Sequence, residues 1–144
     1  MALHLILVMQ PNLASRILLV EPHDDFREVF ATLLGLVGYE VETAEDVNEA
    51  LATVKTFVPD VVITELRLAD NGGLELARKL RLLSFGNDLI LVALCSYVQP
   101  HSEAEALQVG FDCFLAKPVS VERIVTVLQS LAETKDSKAK RWLH

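Results

Sequence analysis

Residues 59–94 read PDVVITELRLADNGGLELARKLRLLSFGNDLILVAL. Pro59 cannot continue a helix and resets the chain. Asp60–Glu65 is then a short, mostly apolar, β-branched run, the pattern of a buried strand. Asp70-Asn71-Gly72-Gly73 is turn chemistry. Leu74–Ser84 follows, with Leu76, Ala77, Leu80 and Leu83 at helical spacing, and then Leu89–Leu94, the most apolar strand of the chain. A strand, a helix and a second strand in 36 residues make one crossover unit. Strands apolar on both faces belong in a parallel sheet covered by helices on both sides.

The same alternation continues in both directions. Upstream, Arg16–Val20 (RILLV) is a strand. Asp24 or Asp25 can cap a helix that runs to about Val37, with Phe26, Val29, Phe30, Leu33 and Leu34 on its inner face and Gly38 at its end. Tyr39–Thr43 is a strand with one wet face, and Glu45–Phe57 is a helix. Downstream, Pro100–Val109 is a short helix closed by Gly110, and Asp112–Ala116 is a fifth strand. Ser120–Glu133 is a last helix capped by Ser120. Five strand–helix units predict an α/β fold: a doubly wound five-stranded parallel sheet in three layers, α/β/α.

Composition bounds the function. At 144 residues one domain is expected, divided here into an N-terminal leader or extra strand (1–15), the α/β body (16–134) and a basic tail (135–144). Hydrophobic residues at 51% and charged residues at 23% suit a globular domain and exclude a disordered one. The net charge of −7 argues against a general nucleic-acid binder. The tail alone carries +3, so the other residues carry −10. Nothing approaches the ~18 consecutive apolar residues of a membrane span, and the leader lacks the basic start of a signal peptide. A cytoplasmic location without membrane contact follows as the expectation. Cys95 and Cys113 make no disulfide framework, and no Cys/His spacing reads as a metal site. No G-x-x-x-x-G-K-[ST], G-x-G-x-x-G or G-x-S-x-G is present, which removes the common nucleotide sites and the hydrolase nucleophile. No cofactor, metal or catalytic residue is expected.

In open α/β sheets ligands and chemistry sit beyond the carboxyl ends of the strands. Those ends carry Glu21-Pro22, Glu65, Cys95-Ser96 and Lys117-Pro118. Two acids, a thiol, a hydroxyl and an amine thus gather at one edge.

At this point the segments RILLVEPHDDFR, PDVVITELRLADNGGLEL and GFDCFLAKPV become specific. Together, from about Arg16 to Leu131, they resemble the receiver domain of two-component response regulators. The resemblance implies a flavodoxin-like fold with strand order 2-1-3-4-5 and a Lys117–Pro118 bond in the cis form. It implies a phosphoacceptor at the end of strand three, here Glu65, which with two acids after strand one makes a Mg²⁺ site. Those two positions hold Glu21 and Pro22. The hydroxyl position after strand four falls on Cys95, and the strand-five aromatic is Phe114. Lys117 and Pro118 alone keep the family's pattern.

Charge counting sets the expectation for this altered pocket. Glu21, Glu65 and Lys117 sum to −1. Two carboxylates ~5 Å apart repel by about 3 kcal/mol at an effective dielectric near 20. Lys117 is the expected cation. Arg67 either folds back to complete the neutralisation or faces solvent from its loop, and the solvent-facing reading is preferred. Glu65 either mimics the phosphorylated state or is a satisfied carboxylate paired with Lys117, and the second reading is preferred. Both exclude ordinary Mg²⁺-dependent aspartyl phosphorylation.

The implied activity is a stand-alone signalling module working by protein contact. Its partner is a histidine kinase or a downstream output protein, or a second copy bound through helix four, strand five and helix five. Phe114, Val119 and Ile124 are the expected contact residues. The alternatives are a conventional phosphoreceiver and a small-ligand-binding domain of flavodoxin type.

Overall fold

The computed structural model describes residues 16–142; the leader at 1–15 lies outside them. Five parallel strands run β1 (Arg16–Val20), β2 (Glu40–Ala44), β3 (Val61–Glu65), β4 (Ile90–Cys95) and β5 (Cys113–Ala116). They are ordered β2-β1-β3-β4-β5, as the resemblance implied. The helices are α1 (Asp24–Val37), α2 (Val47–Thr53), α3 (Gly72–Arg81), α4 (Ser102–Val109) and α5 (Val121–Trp142).

Side chains alternate along each strand and feed two separate cores. Ile17, Leu19, Val61, Ile63, Val92 and Leu94 pack on one face with Phe30 and Leu34 of α1 and Ile124 and Leu128 of α5. Leu18, Val20, Val62, Leu91, Ala93 and Cys95 pack on the other with Ala50 of α2, Leu76 and Leu80 of α3 and Ala106 of α4. The three layers therefore follow from the period of two.

Several expectations shift. α1 begins at Asp24, but neither Asp24 nor Asp25 caps it. His23 stands at the cap position without a side-chain bond to the helix, and Asp24 pairs with Arg27 instead. Val29 and Leu33 face solvent with Leu36, because Phe30, Leu34 and Val37 form the stripe that meets the sheet. α2 is shorter than its periodic stretch and is capped by Asp46, which accepts from Glu49 N–H at 2.8 Å. The last helix does not stop at Glu133 but continues to Trp142, so the first eight residues of the basic stretch are helical. Lys and Ala in that stretch favour helix.

Two close features fix the ends of the sheet. At the far end from the strand termini that carry the site, Arg81 of α3 donates to the carbonyls of Gly86 and Leu89 and twice to that of Gly110. It also pairs with Asp112 at 2.9 Å. Asp112 in turn accepts the Leu91 N–H at 2.8 Å. At the site end, a Cβ on Gly73 would lie 2.5 Å from the Leu66 carbonyl oxygen and 2.7 Å from that of Glu65. Only glycine lets α3 start this close to β3. Gly73→Ala should cost about 1–3 kcal/mol, seen as a lower urea midpoint at unchanged slope; an unchanged midpoint would mean that the helix start yields freely.

Candidate functional site

The sheet ladder extends one bond past three of the strands and so places the side chains that follow. Glu21 N–H donates to Ala44 O at 2.9 Å, Leu66 N–H to Leu94 O at 2.7 Å and Lys117 N–H to Cys95 O at 2.9 Å. Glu21, Glu65 and Lys117 are thereby brought to one edge, as the strand-end argument required. The Lys117–Pro118 bond is cis.

Lys117 Nζ lies between the two carboxylates. It bonds Glu21 Oε1 and stands 2.8 Å from Glu65 Oε2, with its charge 4.2 Å from the centre of the Phe26 ring. Phe26 itself stacks on Phe30 of α1. Glu21 is 0% exposed and Glu65 2%. Two buried acids without donors would be costly, and the chain supplies donors to all four oxygens. Glu21 Oε2 accepts His23 N–H at 3.0 Å and contacts His23 Nδ1 at 3.0 Å. Glu65 Oε1 accepts the N–H groups of Arg67 and Ser96, each at 3.2 Å, and Oε2 accepts Ser96 Oγ at 3.2 Å.

The electrostatics follow from these contacts. Burial alone pushes the Glu21 carboxyl up, but the hydrogen bonds from Lys117 and His23 outweigh it and hold the pKa below the ordinary carboxylate value. Burial pushes the Lys117 ammonium down, and its bonds to Glu21 and Glu65 outweigh that and raise it. Glu21 and Lys117 therefore form a charged pair at neutral pH.

Three expected pocket residues stand elsewhere. Pro22 is exposed, with no oxygen on its side chain. Cys95 belongs to the core on the α2–α4 face, and its Sγ contacts the Tyr97 carbonyl oxygen at 3.2 Å. The hydroxyl that reaches Glu65 is Ser96, one residue further. The reason is the pleat: Leu91, Ala93 and Cys95 share a face, so the last strand residue points inward and the next one clears the edge. Arg67 is neither in the pocket nor free. Its main chain donates to Glu65, while its guanidinium turns away to Asn71 Oδ1 at 3.2 Å and Ser102 Oγ at 2.7 Å. Ser102 and Gln99, which take part in this arrangement, had no local motif to announce them.

The expected contact face also changes membership. Ile124 is fully buried, because α5 turns it to the sheet. Phe114 and Val119 are half-buried against the cores. Tyr97, Val98 and Leu107, on the β4–α4 loop and α4, are the large apolar side chains exposed there.

Among known proteins, the model of the response regulator receiver domain matches residues 17–129. The phosphate regulon transcriptional regulatory protein PhoB of Pseudomonas aeruginosa is 30% identical over 115 residues, which is 80% of this chain and 50% of that protein. The response regulator MprA of Mycolicibacterium vanbaalenii is 33% identical over 116 residues, 81% of this chain and 49% of that one. The chain thus spans about half the length of these curated relatives. Among solved structures, the chemotaxis response regulator CheY4 of Vibrio cholerae aligns with a TM-score of 0.74 at 29% identity, over 81% of this chain and 98% of that one. A response regulator of Burkholderia pseudomallei, solved with a phosphorylated aspartic acid, calcium ion and citrate, aligns at 26% identity with a TM-score of 0.74. That match covers 87% of this chain and 72% of the other. The receiver-domain model matches most of the chain, and the strand order and the cis lysine–proline pair after β5 are those the resemblance implied: the chain belongs to the response regulator receiver domain family.

Proposed function

We propose that this receiver domain acts in two-component signalling by protein–protein contact, with a pocket held by its own donors rather than switched by aspartyl phosphorylation. One observation carries the reading: all four oxygens of Glu21 and Glu65 are engaged by groups of the chain itself, with Lys117 as the shared cation. Glu65 takes up the Ser96, Arg67 and Lys117 donors that a phosphoryl group on this strand end would need. It carries one negative charge where an aspartyl phosphate carries nearly two. The satisfied-carboxylate reading therefore explains the geometry without a mimic of the phosphorylated state.

The residues present do not fit a magnesium ion. Hard divalent cations need several oxygen ligands. Pro22 offers none from its side chain, and the Glu21 carboxylate lies between Lys117 and His23. Among the described residues no cluster of three or more His, Cys, Asp or Glu could hold a metal.

The surface around α4, β5 and α5, with Tyr97, Val98 and Leu107 outward, is the proposed contact face for a kinase, an output protein or a second copy. We place the protein in the cytoplasm; among the described residues no helix is long and apolar enough to cross a membrane. The test is an amide NMR titration with Mg²⁺ and beryllofluoride, then acetyl phosphate. Silence at Arg67, Ser96 and Lys117 is the expected result. Saturable shifts at those amides, or a mass increase of one phosphoryl group, would establish a conventional phosphoreceiver instead.

A further inference from the structure

We propose that Arg67 is a strut that couples the Glu65 carboxylate to the first turn of α4 and so fixes the β4–α4 loop in one conformation. The loop, residues 96–101, is held at both ends by the same two-residue unit. At its start, Ser96 gives its N–H and its Oγ to Glu65. At its end, Ser102 Oγ accepts the Arg67 guanidinium at 2.7 Å and the Gln99 N–H at 2.8 Å. Glu65 and Arg67 are themselves joined, since Arg67 N–H donates to Glu65 Oε1 at 3.2 Å. The result is a closed circuit: Glu65, Arg67, Ser102, the loop, Ser96 and back to Glu65.

The chemistry favours a rigid circuit. Ser102 is fully buried, so its hydroxyl is shielded from competing water. The guanidinium is a planar fork that spends one arm on Asn71 Oδ1 and the other on Ser102, which fixes its direction. α4 has a small apolar contact: along its eight residues Ala106 is buried with Ser102, and Val109 is half-buried against the same core. A helix with so small an apolar contact depends on its end contacts. The loop also presents Tyr97, 76% exposed, and Val98 to solvent, with the Cys95 thiol against the Tyr97 carbonyl. Arg67 is thus a positioning residue for an exposed apolar display, acting at a distance from the pocket it borders. The Glu65 half of this circuit rests on the proposed function, whereas the Arg67–Ser102 half does not.

Amide hydrogen exchange on the full chain tests it. Arg67→Met should raise exchange at Gln99 and at residues 105–108 by roughly tenfold or more, through loss of the charge-assisted bond that reaches α4. Ser102→Ala should do the same, and the double variant should add little to either. Asn71→Gly, which removes only the other arm and suits the left-handed backbone at φ 59°, should leave α4 near wild type. Glu65→Ala should loosen α4 in the parent but not in the Arg67→Met background. That non-additivity is the signature of coupling, which a merely local support would not show. Exchange in α4 within twofold of the parent after Arg67→Met would overturn the proposal. So would an equal effect of Glu65→Ala with and without Arg67, or a uniform rise that includes β1 and β3.

Discussion

Lys117→Met lowers stability by about 3–5 kcal/mol, because it leaves two buried carboxylates facing each other without their cation. For a chain near this size that is a fall in Tm of roughly 6–20 °C. The pH dependence gives the sharper reading. In the parent, Glu21 has a depressed pKa in the fold, so its contribution is present at neutral pH and is lost as the pH falls through the folded value. Lys117 has a raised one, so its contribution holds below the ordinary lysine value and is lost as the pH rises through the folded value. In Lys117→Met the sign of the carboxylate contribution reverses. With the Lys117 bond gone, burial, the largest influence on Glu21, should raise its carboxyl pKa above the unfolded value, so the penalty is relieved as the pH falls. The variant should therefore gain stability between neutral and mildly acidic pH, while the parent does not. Adding Glu65→Gln to Lys117→Met should recover part of the loss at neutral pH. A variant that melts within about 2 °C of the parent at neutral pH would show that water reaches the pocket and screens the pair.

Arg81→Ala is the second large effect, also about 3–5 kcal/mol, and it acts at the opposite end of the sheet. The side chain satisfies the carbonyls of Gly86, Leu89 and Gly110 together with Asp112. Removing it takes a donor from all four at once, with Asp112 keeping the Leu91 N–H and the Gly86 carbonyl keeping the Leu89 N–H, where α3, the start of β4 and the start of β5 meet. Arg81→Lys keeps the charge but cannot span three carbonyls, so it should recover less than half of the loss. Urea melts report the change as a lower midpoint, and amide shifts at Glu21, Glu65 and Lys117 should stay in place. A midpoint within error of the parent would mean that water replaces the guanidinium without cost.

The sheet was legible because its strands are short apolar runs separated by helical spacing, and Val61–Ile63 or Ile90–Leu94 admit no other burial. α1 shows where that signal ends. Its apolar residues form two stripes, Phe30–Leu34–Val37 and Val29–Leu33–Leu36, and spacing alone cannot say which one meets the sheet. The acid–lysine part of the site was legible because each residue ends a strand or directly follows one. Cys95 and Ser96 were not resolved, since a boundary error of one residue exchanges the buried and the edge-facing side chain. Arg67 was misjudged for a different reason: its partner Ser102 lies 35 residues away, in a helix that local pattern cannot place beside it.

Glu65 also has a consequence for assembly of the sheet itself. Val61, Val62 and Ile63 are alike enough that either neighbouring alignment of β3 would still bury apolar groups. In the observed alignment Glu65 sits opposite Leu94, and there its carboxylate meets its amide and ammonium donors. Slipping by one position would drag that carboxylate between two oily layers, so the acid at the strand's end also serves as a notch by which the central strand finds its place.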